Sequence, residues 1–181
     1  MKLTRSYIAM LLLLLLFGCG GGDTGSTDDS GTDTTDPGTD TSDPGTTTGT
    51  LPADPGDAGK ITLGGIDSDN DGVRDDVQIA IYDRYPNDET KRNALTQNAV
   101  ALQEAIFAGN TSDSESITVA SGLVINAVDC LHERVDDPMS DIGFLEQAVV
   151  NTSDRSDAYI KFNEALNGQF FGGDDTANPC Q

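Results

Sequence analysis

The sequence predicts an all-α fold over residues 60–181, a small array of about five helices preceded by a lone acidic loop. Three observations predict it. Apolar residues recur at spacings of three and four from Val73 to Leu166, as on one face of a helix. Proline, glycine and capping residues cut that pattern into pieces of helical length. No piece alternates apolar and polar residues over a strand's length, and only residues 60–63 read as briefly extended.

The elements follow in order. Val73, Val77, Ala80 and Ile81 share one face of a first helix, which Tyr85-Pro86 ends, because proline has no N–H to donate and clashes with the preceding turn. Asn87 is placed to cap a second helix whose stripe is Leu95, Ala99, Leu102 and Ile106, with Gly109-Asn110 as its terminator. Ser112-Asp113-Ser114-Glu115 reads as a capping box opening a third, with Ile117, Ala120, Val124, Ala127, Leu131 and Val135 inward. Asp137-Pro138 breaks it, and a shorter helix carries Phe144, Leu145, Ala148 and Val149. Thr152 or Ser153 caps the last, with Ala158, Tyr159, Phe162, Ala165 and Leu166 inward and Gly168 behind. Asn110-Thr111-Ser112 and Asn151-Thr152-Ser153 have the spacing of glycosylation acceptors and are read as helix caps.

Ahead of the first helix, residues 67–78 read Asp67-Ser68-Asp69-Asn70-Asp71-Gly72-Val73-Arg74-Asp75-Asp76-Val77-Gln78. Alternate carboxylates on a winding loop can aim at one point, and Gly72 allows the turn a side chain would block. Calcium, a hard cation, takes roughly six to eight oxygens from such a flexible cage. Asp67, Asp69 and Asp71 would supply carboxylates, Val73 its carbonyl, Asp75 a direct or water-mediated oxygen, and Gln78 the last position. The metal-free reading is an acidic turn in which Asp75 and Asp76 suit the helix macrodipole. Five acids within residues 67–76 favour a neutralising cation.

This stretch resembles the EF-hand loop and, more closely, the calcium loops of thrombospondin type-3 repeats and dockerins. It departs from them at Gln78, which offers one neutral oxygen where an EF-hand has a bidentate glutamate, and at Arg74, where an aliphatic residue is usual. Residues 61–66 contain Gly64-Gly65 and do not read as an entering helix, and no second loop follows. The expectation is a single loop feeding one exiting helix, not a paired sensor that opens a groove.

The N-terminus begins with Lys2 and Arg5 before an apolar run from Ile8 to Phe17. The run falls short of the roughly 20 residues that a span needs, so residues 1–18 are read as a cleaved signal peptide. Leu16-Phe17-Gly18-Cys19 resembles the lipobox of bacterial lipoproteins, although Phe17 is bulkier than usual there. The resemblance implies lipid on Cys19 and an envelope location, and Gly20, where aspartate would signal inner-membrane retention, favours the outer membrane. Residues 19–59 are read as a disordered tether: residues 20–59 hold nine aspartates, no Lys, Arg or aromatic, and repeated Asp-Pro-Gly. Such a segment buries too little apolar surface to offset its ordering entropy. It should span roughly 35 Å or more as a charged coil.

The wider phrase from Asn70 to Val77, Tyr85-Pro86, Ala158-Tyr159-Ile160-Lys161-Phe162-Asn163 and the late Cys180 resemble an uncharacterised family of bacterial lipoproteins with one calcium loop before a helical domain. The resemblance runs from Ile66 to Cys180 and implies a fold and a calcium site but no activity.

The chain carries 31 acidic and 10 basic residues, a net charge of -21. That argues against nucleic acid, which needs cations to neutralise phosphates, and against electrostatic docking on anionic lipid. The membrane would be reached through the lipid anchor alone, and the sequence names no protein partner. Beyond Cys19 two cysteines remain, Cys130 and Cys180. An oxidising compartment makes them a candidate disulfide, two free thiols being the alternative. His132, the only histidine, stands beside Cys130 and Glu133, but no second histidine supports a metal or catalytic cluster. Glu104, Glu146 and Glu164 fall on separate helices, and no nucleophile, phosphate or zinc motif is present. The leading expectation is a non-catalytic envelope lipoprotein with structural calcium. A tethered adaptor or inhibitor is the alternative, and a hydrolase the third.

Overall fold

A computed structural model describes residues 51–169 and 178–181. The expected signal peptide, Cys19 and most of the expected tether lie outside them. Five α-helices make up the described part: α1 (Asp75–Arg84), α2 (Glu89–Thr111), α3 (Ser114–Arg134), α4 (Pro138–Val149) and α5 (Ser153–Ala165). No strand occurs among the described residues, and no helix there is long and apolar enough to cross a membrane. The all-α expectation holds.

Each start has a local cause. Asp88, Asp113, Asp137 and Thr152 accept from the backbone N–H groups of Lys91, Ser116, Ser140 and Arg155, so each satisfies a donor that the first turn leaves over. The caps of α2 and α3 sit one residue beyond Asn87 and Ser112, and Ser112 instead ends α2 in the left-handed region at φ 55°. Gly109 does not terminate α2; it is buried within it. Pro138 occupies the first turn of α4, where its missing N–H costs nothing.

α2 is the central helix, packed chiefly against α3 and α5. The main core joins Val73, Val77 and Ile81 to Leu95, Ala99, Leu102 and Ile106, and closes over them with Leu131, Ile142, Leu145 and Val149. A second cluster gathers Ala105, Ala108, Ile117, Ala120 and Phe162 where α5 crosses α2. Ala165, expected inward, is exposed at the last residue of α5, while Leu166 beyond it packs against the second cluster.

The folded part begins earlier than residue 60. A 3-10 turn spans Gly56–Lys60, so Lys60 is helical rather than extended, and Gly59 is buried. At the other end Cys130 of α3 is disulfide-bonded to Cys180. The bond holds the C-terminus against α2, where the Gln97 amide donates to the Pro179 carbonyl at 2.7 Å and accepts from the Gln181 N–H at 2.9 Å. Closing a loop of sequence separation 50 stabilises by about 4 kcal/mol on the chain-entropy model. Reductant is therefore expected to lower the urea midpoint by an amount equivalent to about 4 kcal/mol. A Cys130→Ala/Cys180→Ala variant should match the reduced protein and no longer respond to reductant.

Candidate metal centre

The loop ahead of α1 is shaped by its own carboxylates. Asp67 accepts from the N–H groups of Asp71 at 3.3 Å and Gly72 at 3.0 Å, and Asp71 accepts from the Val73 N–H at 2.8 Å. These bonds replace a regular ladder and curl the chain, with Asn70 at φ 57° and Gly72 at φ 91° in left-handed backbone. Nothing lies within 4 Å of where a Cβ on Gly72 would stand. Its backbone angle, not crowding, calls for glycine there.

The curl brings Asp67, Asp69 and Asp71 together, with one carboxylate oxygen of each within 4.8 Å of the others. Among the described residues no other group of three acids, histidines or cysteines is this close. Burial, with the neighbouring charges of Asp69, Asp67 and Asp75, pushes the Asp71 carboxyl up, partly offset by the Val73 N–H. The other expected ligands stand differently. Asp75 is buried and accepts from the Ser68 N–H at 2.8 Å, which ties the loop's entry to the start of α1. Gln78 donates its amide nitrogen to Asp71 at 2.7 Å and to Asp69 at 3.2 Å, while its amide oxygen is buried with no hydrogen-bond partner. Val73 packs its side chain fully in the core, which fixes the backbone that carries its carbonyl.

Three residues that shape this region carry no local motif. Gln103 of α2 clamps the loop's exit, donating to the Gly72 carbonyl at 2.9 Å and accepting from the Arg74 N–H at 3.1 Å. Arg74 and Arg155 are both fully buried. Arg74 makes a two-pronged pair with Asp76 at 2.9 and 2.7 Å and donates to the carbonyls of Val149 and Ala148 at 2.8 and 3.0 Å. Arg155 donates to the carbonyls of Leu63, Gly59 and Thr62 at 3.0, 2.6 and 2.9 Å. Asn151 accepts from both arginines and donates to Asp76. This knot fastens residues 59–63 and the loop's exit to the α4–α5 junction. Only planar guanidinium forks reach so many acceptors at once. In the sequence Arg74 stands out only as a departure from the EF-hand loop pattern. No spacing rule marks a cation that will be buried by carbonyls far along the chain.

Burial alone would raise the Asp76 carboxyl, but the Arg74 guanidinium and Asn151 hold it below the ordinary value. A carboxylate depressed in the folded state contributes stability that is present above its unfolded pKa and lost as pH falls through the folded one. Glu146 works the other way: burial raises it, against the Tyr159 hydroxyl that donates to it, so protonating it on mild acidification favours the fold. The urea midpoint is therefore expected to hold or rise on mild acidification and to fall below about pH 4. Asp76→Asn should start lower at neutral pH and show a shallower acid limb. An unchanged acid limb would remove Asp76 from the account.

No cluster forms around His132, as the sequence suggested. His132 and Glu133 are exposed on α3, and Cys130 is engaged in its disulfide. No protein-family model matches the chain, and no curated protein or solved structure matches it either.

Proposed function

We propose that the chain is a non-catalytic calcium-binding lipoprotein of the cell envelope, in which the ion acts structurally at the entry of the helical domain. The reading rests on one observation above the others: three carboxylates of the Asp-x-Asp-x-Asp-Gly stretch converge on a common point. The donor set fits a hard cation, being carboxylates, a backbone carbonyl and an amide oxygen. Gln78 supports it as well. An amide nitrogen bridging Asp69 and Asp71 places partial positive charge among the acids, while the oxygen at the other end of the amide lacks a partner. A half-turn of that amide would offer its oxygen to an ion held by Asp67, Asp69 and Asp71. The anchor, envelope location and outer-membrane placement rest on the leader, Cys19 and Gly20. Calcium would then fix the angle at which the chain enters α1, with Gln103 and Arg74 holding the loop's far side.

The test is a thermal melt in calcium, in magnesium and in chelator. Calcium at a hundred times its Kd should add about 2.7 kcal/mol, an upward shift of roughly 10 °C for a domain of this size. Magnesium, which demands a tight octahedron and keeps its waters, should add little. Asp71→Asn keeps the acceptor for the Val73 N–H and removes one charge. It should abolish the calcium increment and leave the melt in chelator unchanged or slightly higher. A wild-type melt insensitive to calcium would sink the reading.

A further inference from the structure

We propose that the groove between the end of α2 and the start of α3 docks a cationic, apolar-bearing segment of a partner protein. The groove has a volume of about 380 Å³. Its floor is Ala108 and Ala120, and two large apolar side chains stand at its sides, Phe107 at 40% exposure and Val119 at 59%. One edge of the Phe107 ring lies against the backbone at Gly64, where an added Cβ would stand 3.4 Å from it. Glu104, Asp113 and Glu115 line the same groove, and among the described residues no Lys, Arg or His does. The groove's hydroxyls are already engaged, Thr111 donating to the Ala108 carbonyl and Ser116 to Asp113. What is left for a ligand is apolar surface edged with negative charge.

Charge selects the occupant. A second copy of this chain would bring a net charge of -21 against the acidic rim. The chain's own residues 20–59 hold nine aspartates and no cation, so they are repelled in the same way. A segment with Lys or Arg flanking apolar residues satisfies both features at once, its stems lying on Phe107 and Val119 and its charges meeting the rim. The groove shares no lining residue with the acidic loop of residues 67–78, and a cationic partner would give a tethered adaptor a definite chemistry.

The probe is a labelled synthetic peptide of alternating lysine and leucine, titrated by anisotropy into the full, oxidised chain beside lysine–serine and glutamate–leucine peptides. The lysine–leucine peptide is expected to bind at least about tenfold more tightly than either. Val119→Asp should remove that preference even though it adds an attractive charge. Ile160→Asp, the same change at a side chain 50% exposed on α5, should leave it intact. Equal binding of the lysine–serine peptide would mean general attraction to an acidic surface and would overturn the proposal. So would no binding at all, or binding indifferent to Val119→Asp.

Discussion

Gly109→Ala is expected to destabilise the domain by about 3 kcal/mol or more, although alanine is the better helix former. A Cβ at this position would stand 2.0 Å from the carbonyl oxygen of Ala158, 2.8 Å from the Phe162 nitrogen and 3.0 Å from the Ala158 carbonyl carbon. All three are backbone atoms of α5, so no rotamer change relieves the clash and the whole helix must back away. That movement withdraws Phe162 from the second cluster and disturbs the Arg155 contacts on the same helix. Overpacking commonly costs about 1–3 kcal/mol when side chains can adjust, and here they cannot. Against a total of about 5–15 kcal/mol for a domain, such a loss is severe. Gly122→Ala on α3 is the control, since nothing lies within 4 Å of a Cβ there. It should raise stability by about 0.5–1 kcal/mol through helix propensity alone. Urea titrations of the two variants should move in opposite directions; a rise in both would mean that helix propensity, not the α2–α5 crossing, governs both.

Arg155→Met should cost about 3–5 kcal/mol, the range seen when one partner is removed from a buried charged network. Methionine fills much of the volume but leaves the carbonyls of Gly59, Thr62 and Leu63 without their donor. Burial and the charge of Arg74 depress the Arg155 pKa, with Asp76 offsetting part of this, so the wild-type site already sustains two cations beside one carboxylate. Removing one cation relieves some repulsion, which keeps the loss from being larger. Arg155→Lys should recover little, because an ammonium on a flexible stem cannot reach three carbonyls and Asn151 together. Denaturant melts give the magnitude. Limited proteolysis locates it, since residues 59–66 should become the first cleavage site in the methionine variant. If cleavage there stays as slow as in the wild type, the arginine does not hold that segment.

The helices were legible because their causes are local. A period near 3.6, the prolines at 86 and 138, and a polar residue able to accept at each start all lie within one turn of the feature they set. Where two adjacent residues could both cap, as at Asn87 and Asp88 or Ser112 and Asp113, local chemistry did not separate them, and the one whose side chain reaches the third N–H prevailed. The convergence of Asp67, Asp69 and Asp71 was legible for the same reason, since alternate spacing on a curled loop is a short-range property. Gly109 was not, because a glycine that ends a helix and one that admits another helix look alike in sequence. Arg74, Arg155 and Gln103 were out of reach too. Apart from Asp76 and Asn151, their partners lie tens of positions away, and a buried cation differs from a solvated one only by those neighbours.

The arginine knot also decides where a mechanical load enters the domain. A pull on the chain ahead of Gly56 meets first the carbonyls of Gly59, Thr62 and Leu63, all held by the one guanidinium of Arg155 on α5. Tension at the N-terminal side is thereby handed directly to α5, whose Arg155 shares Asn151 with Arg74 at the start of α1. Single-molecule pulling should register this clamp as the first rupture, ahead of any unwinding of α1, with the force peak missing in Arg155→Met. Load on the chain ahead of Gly56 is thus shared between the first and last segments of the described domain, because the carbonyls of one are held by a side chain of the other.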